Sequence, residues 1–156
     1  MKKTRIKAKD LSKVLDKKYS IDFSKKDKVE IWEDKEKSLK LYVINNLISF
    51  FINEDKLVPT LKLLQEDGSL LKRIVVDMGA VKFVVSGADI MRPGIVSFSD
   101  GIGVGDFVVI VDVNNQKPLA VGVSKNSSEE LNVIDKGKVV KNIHYVGDDL
   151  WKLGCS

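Results

Sequence analysis

The sequence predicts an α+β protein in two parts, a small α+β domain with an antiparallel meander over residues 1–71 and a small mixed barrel or sandwich over residues 72–156. Three observations predict it. Helical spacing near the N-terminus gives way at residue 28 to a period of two. The tetrapeptide Glu66-Asp67-Gly68-Ser69 is a turn signal and the best candidate for a domain boundary. Beyond it the chain is richer in β-branched residues and glycine, and short apolar runs recur at near-regular spacing.

The elements follow in order. Leu11, Val14, Leu15 and Tyr19 recur at helical spacing with Lys13, Lys17 and Lys18 on the other faces, so a surface helix is expected, started near Asp10 or Ser12. Val29 and Ile31, then Leu39, Leu41 and Val43, alternate with charged residues and Tyr42, with a turn at residues 34–37. Asn45-Asn46 is a second turn, followed by an apolar strand over residues 47–52. Residues 57–64 read as a short helix with Pro59 in its first turn and Leu57, Leu61 and Leu64 on one stripe.

In the second part, strands are expected at residues 74–76, 94–98, 107–113, 118–123, 137–140 and 143–146. Ser127 and Glu130 have capping-box spacing and predict a short helix to about residue 133.

Composition limits the function classes. The 156 residues are 44% hydrophobic and 31% charged, the balance of a folded globular chain. Net charge is +4, but residues 1–40 hold 14 Lys/Arg against 8 Asp/Glu, so the positive excess sits at the N-terminal end. That asymmetry is compatible with a polyanion such as RNA. Cys155 is the only cysteine, so no intramolecular disulfide can form and a reducing compartment is expected. With His144 the only histidine, neither a zinc site nor any other cofactor is expected. No apolar stretch approaches the about 18 residues of a membrane span, and no apolar segment follows the basic start, so the cytoplasm is expected.

Two sequence features imitate catalytic motifs. Gly101-Ile102-Gly103-Val104-Gly105 lacks the following helix that a dinucleotide fingerprint requires, because a β-branched run comes next. Gly137-Lys138 lacks the rest of a phosphate-binding loop. Carboxylates are scattered over charged faces and no nucleophile elbow is present, so no enzyme is expected.

Residues 74–95, IVVDMGAVKFVVSGADIMRPGI, stand out as a compact backbone-defined feature. A short helix is expected from residue 80 to about 86. At about 100° per residue it gathers Ala80, Phe83, Val84 and Gly87 on one side and Lys82 and Ser86 on the other. Ala80, Phe83 and Val84 are assigned to packing, and Gly87 to a left-handed C-terminal cap. Lys82 is left to meet solvent or phosphate. Pro93 stops any further helix, so the amides of residues 88–94 need other partners, a ligand phosphate among them.

The stretch VDMGAVKFVVSGADIMRPGI, with PLAVG downstream and IHYVGDDLW near the end, resembles the PUA domain, an RNA-binding module. It is most similar to that of the malignant T-cell amplified sequence (translation machinery-associated) family, as is PTLKLL at residues 59–64. The resemblance covers residues 72–153 and implies a pseudo-barrel of mixed, mostly antiparallel strands with a short helix beside it. It also implies RNA contact at Lys82, Gly87, Ala88, Met91, Arg92, Pro93 and Gly94, and at His144 and Tyr145 on the final strand. In that picture the glycines let an RNA backbone approach, Arg92 pairs phosphate or a base edge, and one of the alternating His144 and Tyr145 stacks on a base.

The family acts on small ribosomal subunits and tRNA with a density-regulated partner, and the ligatin-type initiation factor begins with the same arrangement. No SUI-type module is evident here, so such a partner would be a separate protein. The resemblance thus implies a non-enzymatic RNA-binding protein of the translation apparatus, contacting tRNA or ribosomal RNA. The alternative is an adaptor that holds RNA for a separate RNA-modification enzyme.

Overall fold

A computed structural model describes residues 1–15 and 18–154. Lys17, placed above on the outer face of the first helix, and Cys155 lie outside the described residues. The chain forms two compact units, Met1–Leu63 and Leu64–Ser156.

The first unit is a five-stranded antiparallel meander. Strands β1 (Lys2–Ile6), β2 (Val29–Asp34), β3 (Leu39–Ile44), β4 (Leu47–Asn53) and β5 (Lys56–Pro59) lie side by side in sequence order. Helix α1 (Ala8–Leu15) follows β1. Leu11 and Leu15, one turn apart, are buried, whereas Val14 on the expected stripe is 51% exposed. The apolar stripe is therefore narrower than the spacing suggested. Tyr19 completes this core, its ring 5.7 Å from Phe50 and its hydroxyl donating to the Leu57 carbonyl at 2.9 Å.

This unit contains no glycine, so its two-residue turns use other residues in the left-handed region, Asn45-Asn46 (φ 51° and 69°) and Glu54-Asp55 (φ 49° and 63°). Asparagine tolerates that conformation well. The asparagine turn is also tied back, with Asn45 Oδ1 accepting the Lys28 N–H at 2.9 Å and Asn45 Nδ2 donating to Asp27 Oδ1 at 3.0 Å.

Two expectations fail here. β1 was not foreseen, and residues 57–64 are a strand followed by a helix rather than one helix. Leu57 and Val58 pair with Ile52 and Phe51, and Pro59 closes an edge strand, where its missing N–H breaks no further ladder. Thr60 Oγ1 then accepts the Leu63 N–H at 3.2 Å, beginning α2 (Leu61–Glu66) one turn later than expected.

The second unit is a single curled sheet. Its strands are β6 (Lys72–Val76), β7 (Ile90–Met91), β8 (Ile95–Phe98), β9 (Phe107–Asp112), β10 (Pro118–Ser124) and β11 (Lys138–Tyr145), in the order β7-β11-β10-β9-β6-β8. β6 and β9 are parallel, and the other pairs are antiparallel.

Chain connectivity dictates the curl. β7 and β8 are opposite edges, yet only a 3-10 turn, Arg92–Gly94, separates them in sequence. Four Cα steps reach at most about 14 Å. Six strands laid flat would put their edges about 24 Å apart. The sheet must therefore roll into a half-barrel, the pseudo-barrel expected. Ile74, Val76, Ile90, Ile110 and Val140 pack inside it, each contributing about 1.5–3 kcal/mol relative to exposure.

Helix α3 (Met78–Val84) lies between β6 and β7, two residues earlier than expected because Asp77 caps it, accepting the Ala80 N–H at 2.9 Å. Ser127 and Glu130 form the foreseen capping box at α4 (Ser128–Leu131). Residues 137–140 and 143–146, expected as two strands, are one continuous strand, β11. The unforeseen α5 (Asp149–Leu153) follows it.

Candidate nucleic-acid interface

The segment from α3 to β8 forms one wall of an apolar groove of about 560 Å³. Its lining comprises Gly79, Ala80, Phe83 and Val84 of α3, residues 88–91 and Gly94 beyond it, and Lys138 from β11. Phe83 is 58% exposed and Met91 45% exposed. Neither is held in the core, so the assignment of Phe83 to packing is corrected. Val84 is the α3 residue buried with Ile90 of β7 in the core, and Phe83 stays exposed in the groove lining.

The sequence places small residues where the walls must approach. A Cβ on Gly94 would lie 3.3 Å from Ala80 Cβ, so this crossing has no room for a larger residue without a shift. Gly87 ends α3 at φ 92°, with Gly87 N–H donating to Val84 O at 3.1 Å and Ala88 N–H to Phe83 O at 3.0 Å. This bond pair defines a Schellman cap. A side chain at Gly87 would also meet the Tyr145 ring, at 2.9 Å from Cε1. Asn142 secures the same turn, its amide nitrogen donating to the Val84 and Ala88 carbonyls at 3.0 Å each.

The rim carries both signs of charge. Lys82 is exposed, its ammonium 5.1 Å from the Phe83 ring centroid. Lys138 stands opposite Met91 in register and 3.9 Å from Asp89. Asp89 is itself held by the Asn142 N–H at 3.0 Å. Two lysines thus flank an exposed aromatic ring, with one carboxylate partly compensating.

Of the residues expected at the site, Ala88, Met91 and Gly94 line the groove, Lys82 stands beside it, and Pro93 is exposed in the adjoining turn. Gly87 and Tyr145 pack on each other behind it. Arg92 and His144 do not fit the roles expected of them. Arg92 Nε donates to Leu131 O at 3.0 Å and Nη1 to Ile95 O at 3.3 Å, while its guanidinium faces the Phe98 ring at 5.7 Å. It ties the turn between the sheet edges to α4.

His144 is 1% exposed, with Nδ1 2.8 Å from Asp148 Oδ2, so it has no face to offer a base. Burial alone would raise the Asp148 pKa. Hydrogen bonds from His144 and from the Trp151 and Tyr145 N–H groups outweigh burial and hold the carboxylate below its usual value. Phe83, Asp89 and Lys138 were missed as site residues. Lys138 reaches the groove only through the β11–β7 register, which no local pattern reveals.

Residues 72–146 match the PUA domain family, and residues 3–67 match a domain of unknown function (DUF1947). Fold and groove therefore define a PUA-domain protein. An uncharacterized protein of Methanocaldococcus jannaschii is 46% identical over 65% of this chain, a match spanning 62% of that relative's length. Translation machinery-associated protein 20 of Saccharomyces cerevisiae is 36% identical over 81% of this chain and 73% of its own. Malignant T-cell-amplified sequence 1 of Rattus norvegicus is 39% identical over 83% and 72%. The chain belongs to the family of these translation machinery-associated and malignant T-cell-amplified sequence proteins.

Among solved structures, a PUA-domain protein from Aeropyrum pernix superposes with a TM-score of 0.86 at 26% identity, covering 99% of this chain and 91% of that one. A chain in an H/ACA ribonucleoprotein bound to a substrate RNA superposes at 0.50 with 27% identity, over 64% of this chain and 31% of that one.

Proposed function

We propose that this protein binds RNA as a non-enzymatic component of the translation apparatus, contacting tRNA or ribosomal RNA through residues 72–156. The observation that carries it is the groove, in which an exposed phenylalanine and methionine lie between Lys82 and Lys138 over a wall kept low by Gly79 and Gly94. An unpaired base can stack on Phe83 while its phosphates meet the lysines. Membership in a family whose relatives bear the translation machinery in their names supports the setting.

Within this proposal the contact residues are Lys82, Phe83, Ala88, Met91, Gly94 and Lys138, with Gly87, Arg92 and Tyr145 holding the frame. Co-sedimentation of the full chain with small ribosomal subunits, repeated with Phe83→Ala, tests it. Wild-type protein is expected with the subunits and the variant in the supernatant. Equal recovery of both would count against the groove.

Likeness to a chain of an RNA-bound ribonucleoprotein favours a second reading, an adaptor that presents RNA to a separate modification enzyme. Pull-down from extract after RNase treatment separates the two. A retained modification enzyme supports the adaptor, and a retained SUI-type protein supports the translation role.

A further inference from the structure

The first unit has a groove of its own, of about 550 Å³, that the proposed function does not use. One wall is the β1–α1 junction, carrying Arg5, Lys7 and Lys9, and the other is the turn at residues 23–27, carrying Phe23 and Lys25. All four cations are exposed, and among the described residues none takes part in an ion pair.

Both walls are fixed by the backbone. The Lys7 carbonyl accepts the Asp10 N–H at 3.0 Å, starting α1, and Asp27 Oδ2 accepts the Ser24 N–H at 2.9 Å, closing the turn. Asp27, the one carboxylate in the lining, is occupied on its other oxygen by Asn45 Nδ2 at 3.0 Å. Glu30, opposite Arg5 on β2, lies 3.6 Å from Lys28. Four cations therefore line a space whose one lining carboxylate, Asp27, already has partners, and Phe23, half-buried, adds an aromatic ring to the same lining.

We infer that this groove is a second RNA-binding site, for a single-stranded segment whose phosphates meet Lys7, Lys9 and Lys25 and whose base stacks on Phe23. Interleaved cations and an aromatic ring suit a nucleotide strand, whereas an acidic peptide would use the charges and ignore the ring. The site is independent of the groove in the second unit.

The test is the binding of a fluorescent oligouridylate to the full chain as a function of salt, in wild type and in a Lys82→Ala/Lys138→Ala background. In both, Lys7→Ala/Lys9→Ala/Lys25→Ala should lower the log–log salt slope by about 2, since each single-strand phosphate contact contributes about 0.7. Phe23→Ala should weaken binding about fivefold or more with the slope unchanged. A control triple, Lys35→Ala/Lys37→Ala/Lys56→Ala, removes the same charge from exposed positions outside the lining and should leave affinity and slope nearly unchanged.

Equal losses from the two triples would mean a diffuse field and overturn the site. Polyglutamate competing as well as the oligonucleotide, with Phe23→Ala silent, would make it a peptide site and also overturn it. Loss only from the Lys82/Lys138 pair would leave the second-unit groove standing and remove this one. Circular dichroism and melting confirm that each variant is folded.

Discussion

At the scale of single residues, Arg92 and Phe83 exchange the roles their types suggest. The arginine spends its guanidinium on the carbonyls of Leu131 and Ile95, and the phenylalanine stands in solvent. Arg92→Ala should cost about 1–3 kcal/mol in denaturant unfolding, because two carbonyls lose their donor. Arg92→Lys should recover little, since an ammonium lacks the planar fork. Phe83→Ala should leave stability nearly unchanged and weaken RNA binding by about 1–3 kcal/mol, the worth of one stacked base. Titration against an oligonucleotide and urea melts of the same preparations separate the two effects.

Asp148 supplies a pH signature. Its folded-state pKa lies below the ordinary 3.8, so its stabilising contribution is present above that value and is lost as pH falls through the lowered pKa. Asp148→Asn should flatten the acid limb of the stability curve, and urea melts between about pH 2 and 5 measure it. No local pattern in the sequence signals these roles. Which face His144 or Phe83 presents depends on where β7 and α5 return, and that is not encoded within a few residues of either.

At the scale of elements, what was legible is what closes locally. The Ser127–Glu130 box and the Gly87 cap close their defining hydrogen bonds within a few residues, and the Asn45-Asn46 turn needs only two residues that tolerate positive φ, so local composition suffices to predict them. What was missed is stabilised from a distance. β1 reads KKTRI, without apolar alternation, and is a strand because β2 pairs with it and Trp32 receives Lys3 at 4.0 Å from its ring. β5 looked helical because its leucines share a helical stripe, but pairing with β4 overrides that spacing.

The glycine-free meander carries a correctable strain at this scale. Glu54-Asp55 sits at positive φ in a two-residue hairpin. Replacing the pair by Asn-Gly should stabilise the first unit by about 0.5–1 kcal/mol. Thermal melting of the double variant checks this, and an unchanged midpoint would show that the turn carries no such cost.

At the scale of the whole molecule, the sequence placed two domains with the boundary after residue 71, while the compact units part at residues 63 and 64. The α+β character and a mixed barrel or sandwich were visible in the spacing, and the family resemblance implied the pseudo-barrel; the joining of the two edge strands by one turn, which dictates the curl, was not visible. The β11–β7 register brings Lys138 to Met91 and so completes the groove. The most direct measurement of the central claim is ultraviolet crosslinking of the full chain to RNA in cells, with the attached peptides identified by mass spectrometry and the RNA sequenced. Crosslinks at Phe83 or Met91, carrying tRNA or small-subunit ribosomal RNA, are the predicted result. Crosslinked RNA with neither residue modified would contradict the assignment of this groove.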